Sequence, residues 1–485
     1  MEFEGKKVLV IGTGLSGMGA AQMLSMLGAR VTILDNNAKA EVEKIRAGFE
    51  RILKKEEIDK LNIMVGPSSE EKAVSENMTD GKPGFDLVVP SPGVPLDSPL
   101  VMKMKDAGIP VISEIELGYL NEKGRVIAIT GTNGKTTTTT LVGDIMKAYA
   151  EQWKAGSLDQ NRFPACSRAI VVGNIGKSYA AASMDTASDT VTVGEISSFQ
   201  LEAIDTFHPV VSAILNITPD HLNRHKTMEN YGAAKARVFE NQDENQYLVI
   251  NYDDKVCYEL AKDCRAKVVP FSRIEELEFG AFVKDEYIVI KNEQGELIRF
   301  CKTEELNIPG THNLENALAA AAVAYFAGID ADVITRALVE FQGVEHRIEF
   351  CGEVDGVRFV NDSKGTNPEA SIKAIDAMKG GVVLIAGGYD KGSTFDELIE
   401  AFNGKVKHMV LLGKTAPMIK ETAEKLGFTN SIIVEDMEQC VNEGFRLAEK
   451  GDTVLLSPAC ASWDMYKSFE QRGEHFKECV AKLTK

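Results

Sequence analysis

A continuous apolar run at 126–130 passes through Gly131-Thr132-Asn133-Gly134-Lys135-Thr136 into a Thr-rich stretch of helical character. This junction constrains the chain more than any other. A buried apolar strand that feeds a helix through a glycine turn is the opening of a parallel α/β unit, with the helix packed back over the sheet. Gly131 and Gly134 let loop amides face phosphate oxygens. Lys135 can reach a β- or γ-phosphate, and the Thr136 hydroxyl suits Mg²⁺. Ile129 stands five positions before Gly134, so the loop is two residues shorter than the usual G-x-x-x-x-G-K-[ST]. That argues against motors and GTPases but keeps the phosphate chemistry.

The same alternation runs through the whole sequence. Apolar runs at 7–11, 31–34, 87–90, 169–172, 191–193, 211–215, 247–251, 357–360, 382–386, 408–412 and 453–457 are separated by glycine-containing turns and helical stretches. Continuous Val/Ile/Leu runs suit parallel strands buried on both faces, so the expected fold class is α/β. Segment 279–300 differs. It alternates apolar and polar residues about a turn at 292–295 and reads as an antiparallel insert. A chain of 485 residues needs more than one hydrophobic core. Boundaries near 113 and 343 divide it into three domains. These are a Rossmann-like domain over 1–113, a central P-loop-type domain over 114–343 and a second Rossmann-like domain over 344–485.

Composition narrows the partners. Lys and Arg total 54 against 72 Asp and Glu, a net charge of −18. That speaks against nonspecific nucleic-acid binding, which needs a cationic face. It leaves room for small anions held by loop amides and a few lysines. The longest apolar run, 317–329, falls short of the ~20 residues a bilayer span requires. The eight cysteines form no Cys-x-x-Cys or Cys/His cluster. Neither a zinc site nor a disulfide framework is expected, and the reducing cytoplasm is the natural compartment.

The sequence GTGLSGMG at 12–19 follows the first strand and opens a helix over 15–27, with Gly28 as its stop. Amides near Leu15 and Ser16 can hold a diphosphate, and Asp35 ends the next strand where a ribose-binding acid belongs. The motif alone fits NAD(P), another nucleotide diphosphate or a structural turn. Glu195, in GEISSFQLE, stands at a strand end suited to a second Mg²⁺ contact, or to a surface acid or capping partner. His221, in NITPDHLNRH, shares that expected rim, whereas Lys235, in YGAAKARVFEN, by itself reads as a solvated helix lysine. In the last third, Asp362 and Lys364, Asp390 and Lys391, and residues 457–462 all follow strands. Two lysines among hydroxyls on one sheet rim suit a small anion.

With Ser197-Ser198-Phe199-Gln200, Asp220-His221, GTHNLENALAA at 310–320, His346-Arg347, NDSKGTN at 361–367 and LLSPACASWDMYKSFEQRG at 455–473, the chain resembles the Mur ligase family over nearly its whole length. These are ATP-dependent amide-forming enzymes of peptidoglycan precursor synthesis. The last two pieces are similar to the branch that adds D-glutamate, and no DNPR-type signature of the diaminopimelate- or lysine-adding branch is seen.

The resemblance implies that Leu15, Ser16, Asp35, Asn36 and Ser91 bind the UDP end of UDP-N-acetylmuramoyl-L-alanine, with Asn174 and His221 along the rest of it. It implies ATP at Gly131, Thr132, Asn133, Gly134, Lys135, Thr136 and Thr137, with Asn313 and Asn316 at adenine. Arg347 and Asp362 would reach ATP from the last domain. It implies two Mg²⁺ ions, one at Thr136 and Glu195 and one at His221 and Lys235. Lys235 would be carbamylated, which turns a metal-repelling ammonium into a metal-binding carboxylate. Lys364, Thr366, Lys391, Ser462 and the Phe469 backbone match the D-glutamate site. Lys135, His221, Lys235 and Arg347 form the expected catalytic set.

Gly194 stands where a larger apolar residue is expected, and Asn223 where an acid is expected. Neither departure removes a named ligand. A monomer acting on small molecules, without nucleic-acid or membrane partners and closing about 342–344, is the resulting expectation. The alternatives are a folylpolyglutamate synthetase-like ligase, against which the UDP-type first domain argues, and an NAD(P)-dependent oxidoreductase. The latter leaves GTNGKT without a purpose.

Overall fold

The computed structural model describes residues 2–79, 82–159, 164–308, 310–389 and 392–483. The first sheet contains β1 (Lys7–Ile11), β2 (Arg30–Asp35), β3 (Leu61–Val65) and β4 (Leu87–Pro90), all parallel in the order β3-β2-β1-β4. Alternate residues of β1 enter different cores: Val8 and Val10 join one, Leu9 and Ile11 the other. That is why the strand reads as an unbroken apolar run. Helices α1 (Leu15–Met26) and α2 (Val42–Glu50) follow β1 and β2, and Gly28 at φ +84° closes the turn after α1.

Helix α3 (Glu114–Tyr119) leads into the second sheet. Its strands are β5 (Arg125–Thr130), β6 (Arg168–Gly173), β7 (Thr190–Glu195), β8 (Val211–Ile214), β9 (Tyr247–Asn251), β10 (Lys267–Ser272), β11 (Gly280–Lys284), β12 (Tyr287–Lys291) and β13 (Leu297–Lys302). Their order is β13-β12-β11-β10-β9-β8-β5-β7-β6. Pairing is parallel except between β11 and β12 and between β12 and β13. The antiparallel insert thus has two turns where the sequence reading expected one, at 292–295. The additional turn is Asp285-Glu286, both at positive φ (49° and 67°). Neither Asp nor Glu announces a left-handed turn as glycine would. Helices α4 (Lys135–Lys154), α5 (Tyr179–Ser183), α6 (Met228–Ala236) and α7 (Thr311–Phe326) accompany this sheet in sequence.

The third sheet holds β14 (Glu349–Val354), β15 (Val357–Asn361), β16 (Val382–Ala386), β17 (Val406–Leu411), β18 (Ser431–Ile433) and β19 (Thr453–Leu456), and α8 (Phe469–Leu483) closes the chain. The order is β14-β15-β19-β16-β17-β18, with only β14 antiparallel to its neighbour. The sequence reading lacked β3, β10, β14 and β18. β3, β14 and β18 lie at sheet edges, and β10 is interrupted by Pro270, a residue that argues against an interior strand.

By internal contacts the chain divides into two compact units, Met1–Glu305 with Glu315–Val339, and Leu306–Leu314 with Glu340–Lys485. The first unit holds the first two sheets, and two buried acids of α3 tie that helix to the loops around the second. Glu114 accepts from Ser178 Oγ (2.5 Å) and the Ala180 amide (2.8 Å). Glu116 accepts from the amides of Asp205, Thr206 and Phe207 and from Thr206 Oγ1 at 2.5–3.0 Å. Among the described residues, no helix is long and apolar enough to cross a membrane.

Candidate active site

Each sheet brings its candidate residues to the carboxyl ends of adjacent parallel strands. In the first they end β2 and follow β1 and β4 (Asp35, Gly12, Ser91). In the second they follow or end β8, β5 and β7 (Asn216, Gly131, Glu195). In the third they follow β15, β19 and β16 (Asp362, Ser457, Gly387). That edge is where open α/β sheets bind ligands.

Gly12 turns at φ +101°, and a Cβ on Gly17 would collide with the Gly12 backbone, so close packing demands both glycines. Gly14 is the N-cap of α1 and supplies no side-chain cap; the first turn carries no acid. Its amides are therefore free of a competing side-chain acceptor where Leu15 and Ser16 begin the helix. Asp35 is engaged locally. Oδ2 accepts from the Thr13 amide (3.0 Å) and hydroxyl (2.7 Å), and Oδ1 from the Asn37 amide (2.9 Å). Burial pushes its carboxyl up, but these bonds outweigh burial and hold it below the ordinary value. Asn36 bonds Ser69 and Glu70. Ser91 Oγ is buried without a hydrogen-bond partner, facing Gly12 and Gly17.

In the phosphate loop, Gly131 (φ +147°) and Gly134 (φ +83°, N-cap of α4) take conformations that suit glycine. The loop is pinned from β8. The Thr132 amide donates to Asn216 O (2.9 Å), and the Asn133 amide to Asn216 Oδ1 (2.8 Å). Lys135 Nζ folds onto the carbonyls of Gly131 (2.8 Å) and Thr132 (2.7 Å). Thr136 and Thr137 are buried in the first turn of α4. Asn316 on α7 packs against Gly134 and accepts from Thr138 Oγ1 (3.3 Å), so it does join the loop. Asn313 is one turn earlier on α7 and also buried.

Lys235 is not the solvated lysine its local sequence suggests. It is 2% exposed, and Nζ donates to the Gly131 carbonyl at 2.8 Å, the same oxygen that Lys135 approaches. Burial, reinforced by Lys135, holds its amine well below the ordinary lysine value. Glu195 is 1% exposed. Its Oε1 accepts from Asn174 Nδ2 at 2.8 Å, and its Oε2 is buried with no hydrogen-bond partner. An orphaned buried carboxylate oxygen beside a phosphate loop fits a cation ligand. His221 sits at φ 52°, half exposed, with Nε2 3.3 Å from Asp220 and its ring 4.8 Å from Phe199.

Two neighbours of His221 had no role in the sequence reading. His225 is buried, bonded to Ser198 Oγ (3.0 Å), and burial lowers its pKa. Arg224 ties the second sheet to the first. Its guanidinium donates to Pro92 O (3.1 Å) and Val94 O (3.2 Å), pairs with Glu202 and lies 4.6 Å from the Phe199 ring centroid. No local pattern in Asp220–His225 announces this, because both carbonyls belong to a loop far away in sequence.

In the second compact unit, Asp362 is buried and accepts from Ser457 Oγ at 2.7 Å. Burial raises its carboxyl to about 7, and Ser457 and Arg347 oppose the rise. Arg347 follows His346, which is buried at φ 62° and bonded to Asn361 Nδ2 (3.0 Å). The Lys364 ammonium lies 5.7 Å from the Phe469 ring centroid. The Phe469 carbonyl accepts from Ser363 Oγ (2.8 Å), and Ser462 is buried. The Thr366 amide donates to the Lys364 carbonyl (2.8 Å). Lys391 and its neighbour Asp390 lie outside the described residues. Arg472, given no role from sequence, is buried and clamps two of the loops. Nε and Nη2 bond Ser363 (3.0 and 2.8 Å), and Nη1 bonds Cys460 O (3.1 Å).

Fold and site thus define an α/β scaffold built on a phosphate loop. A family profile of the Mur ligase middle domain matches residues 129–324, and one of the Mur ligase glutamate ligase domain matches 346–460. The chain belongs to the Mur ligase family. A profile of the alanine dehydrogenase/PNT C-terminal domain matches 2–95, in keeping with a Rossmann-like first domain.

The relatives are more particular. UDP-N-acetylmuramoylalanine--D-glutamate ligase of Thermoanaerobacter sp. (strain X514) is 48% identical over 485 residues, covering all of both chains. The protein of the same name from Clostridioides difficile (strain 630) is 44% identical over 484 residues, again covering all of both. Among solved structures, UDP-N-acetylmuramate-alanine ligase MurC from Thermotoga maritima matches with TM-score 0.54 at 19% identity, covering 98% of this chain and 99% of that one. MurF ligase from Thermotoga maritima in complex with ADP matches with TM-score 0.52 at 16% identity, covering 99% and 96%. These two likenesses concern the fold. The dehydrogenase alternative reduces to a resemblance in the first domain.

Proposed function

We propose that this chain is an ATP-dependent ligase that joins D-glutamate to UDP-N-acetylmuramoyl-L-alanine in peptidoglycan precursor synthesis. The observation that carries this reading is the phosphate loop with Lys135 and the buried Lys235 on one carbonyl oxygen, beside the orphaned Glu195 oxygen. End-to-end identity of 48% with a D-glutamate ligase supports the substrate assignment.

A carboxylate does not condense with an amine near neutral pH, because its oxyanion is a poor leaving group. Transfer of the γ-phosphoryl to the alanyl carboxylate gives an acyl phosphate. The D-glutamate amine attacks its carbonyl carbon, and the tetrahedral intermediate expels phosphate. Lys135 and Arg347 offset the charge of the assembled anions. Leu15, Ser16, Asp35, Asn36, Ser91 and Asn174 hold the UDP-substrate. Lys364, Thr366, Lys391, Ser462 and the Phe469 backbone hold D-glutamate.

Thr136 and Glu195 fit one Mg²⁺, and His221 with Lys235 a second; a bound Mg²⁺ supplies charge neutralisation on phosphate oxygens. CO₂ adds to the uncharged amine, the form that burial favours at Lys235, so Lys235 is read as the carbamylated residue. The active species is a single chain, which light scattering during size-exclusion chromatography checks. The deciding experiment measures phosphate release with ATP and UDP-N-acetylmuramoyl-L-alanine while D-glutamate, L-glutamate, glycine, lysine and diaminopimelate are compared. Release dependent on D-glutamate alone is expected; release with another amino acid, or with none, overturns the reading.

A further inference from the structure

A cavity of about 690 Å³ lies between α1–α2 on one side and β6–α5 on the other. Met18, Phe49, Ile52 and Ile170 give it apolar walls, and its volume falls within the range of small-molecule sites. Two features show that it is not loose packing. First, α1 and α5 meet tightly beside it: a Cβ on Gly19 would collide with the Ser178 side chain. Both walls are therefore held in place. Second, β6 is the last strand of its sheet; among the described residues its outer side carries no further strand, only the isolated bridge from Val172 to Lys177.

Leu15 and Ile52, at 58% and 56% exposed, border the same space and add apolar surface to its rim.

The charges at this cavity reverse the sign of the chain. Lys147, Arg168 and Lys177 line it against one acid, Asp185, in a protein of net charge −18. Lys147 is paired with Asp144 (2.9 Å), and Arg168 donates to the Asp185 carbonyl (3.2 Å). Arg168 and Lys177 are both exposed, so each can lay its stem on the apolar wall and keep its charge at the rim.

We propose that this cavity binds an amphipathic anion, an apolar body carrying one phosphate, sulfonate or carboxylate head. The occupant antagonises the UDP-substrate. Its apolar body would lie against Leu15, the first residue of α1, and its head near Lys177, three positions beyond Asn174. The antagonism rests on the ligase reading; the binding does not.

The test uses the full chain with 8-anilinonaphthalene-1-sulfonate as a fluorescent probe. One saturable site is expected. Ile170→Trp, which fills the cavity, and Arg168→Glu, which reverses its charge, should each weaken binding at least tenfold while probe-free turnover stays at the wild-type level. Dodecyl phosphate and dodecanoate should displace the probe, their relative potencies distinguishing the two head groups, whereas dodecanol should not. Bound probe should raise KM for the UDP-substrate and leave kcat unchanged. Equal probe affinity in wild type and both variants overturns the site, and binding without a change in KM overturns the antagonism. Should Ile170→Trp fail to fold, Arg168→Glu decides. Probe-free turnover reports on the ligase reading separately.

Discussion

Lys235 is the residue at which local sequence and tertiary structure diverge most. Its flanking Ala233 and Ala234 look like an ordinary helix face, yet the helix turns its amine onto the Gly131 carbonyl. If the amine takes up CO₂, ¹³C-labelled bicarbonate should produce a carbamate resonance that Lys235→Ala lacks. That variant should lose most turnover, and added bicarbonate should not restore it. Lys135→Ala should lower kcat/KM by about 10²–10³-fold, with UDP-substrate affinity largely kept, as isothermal titration would show.

Asp362 carries a pH signature. Its folded pKa of about 7 lies above the unfolded value, so the folded protein holds a proton that the unfolded chain releases. The associated stability is fully present below the unfolded pKa and is lost as pH rises to about 7. Asp362→Asn removes the titration. Its melting temperature relative to wild type should climb between pH 5 and roughly 7 and then level off. A constant difference across that window refutes the assignment.

At the scale of elements, what was legible is what repeats. Unbroken runs such as those of β1, β5 and β16 declare parallel strands, and the glycines at 12, 131 and 134 mark the turns after two of them. The candidate residues at those strand ends follow almost directly. Long-range ties were not legible. Arg224 reaches two carbonyls 130 or more residues away, and Arg472 reaches Ser363 109 residues away. Neither partner carries a distinctive side chain that a linear pattern can register.

Because Arg224 spans Pro92, Val94 and Glu202, it positions the Ser91 loop relative to His221. Arg224→Ala should raise KM for the UDP-substrate roughly tenfold while kcat changes less. Arg224→Lys should recover little, since one ammonium cannot reproduce a planar fork with several donors. A variant that loses kcat and leaves KM untouched would move Arg224 from positioning to chemistry.

For the whole molecule, the division into two compact units has a calorimetric consequence. Units with separate cores unfold as separate cooperative blocks unless their interface couples them. Two transitions are expected, and the UDP-substrate should shift the one belonging to the unit that holds the first two sheets. A single transition that moves as one would show that the blocks are coupled.

The guanidinium of Arg224 adds a mechanical restriction. Turning the first sheet against the second would pull its donors off the Pro92 and Val94 carbonyls, while Glu202 holds the same cation on the second sheet's side. That tether resists rotation, so these two sheets travel as a single lever.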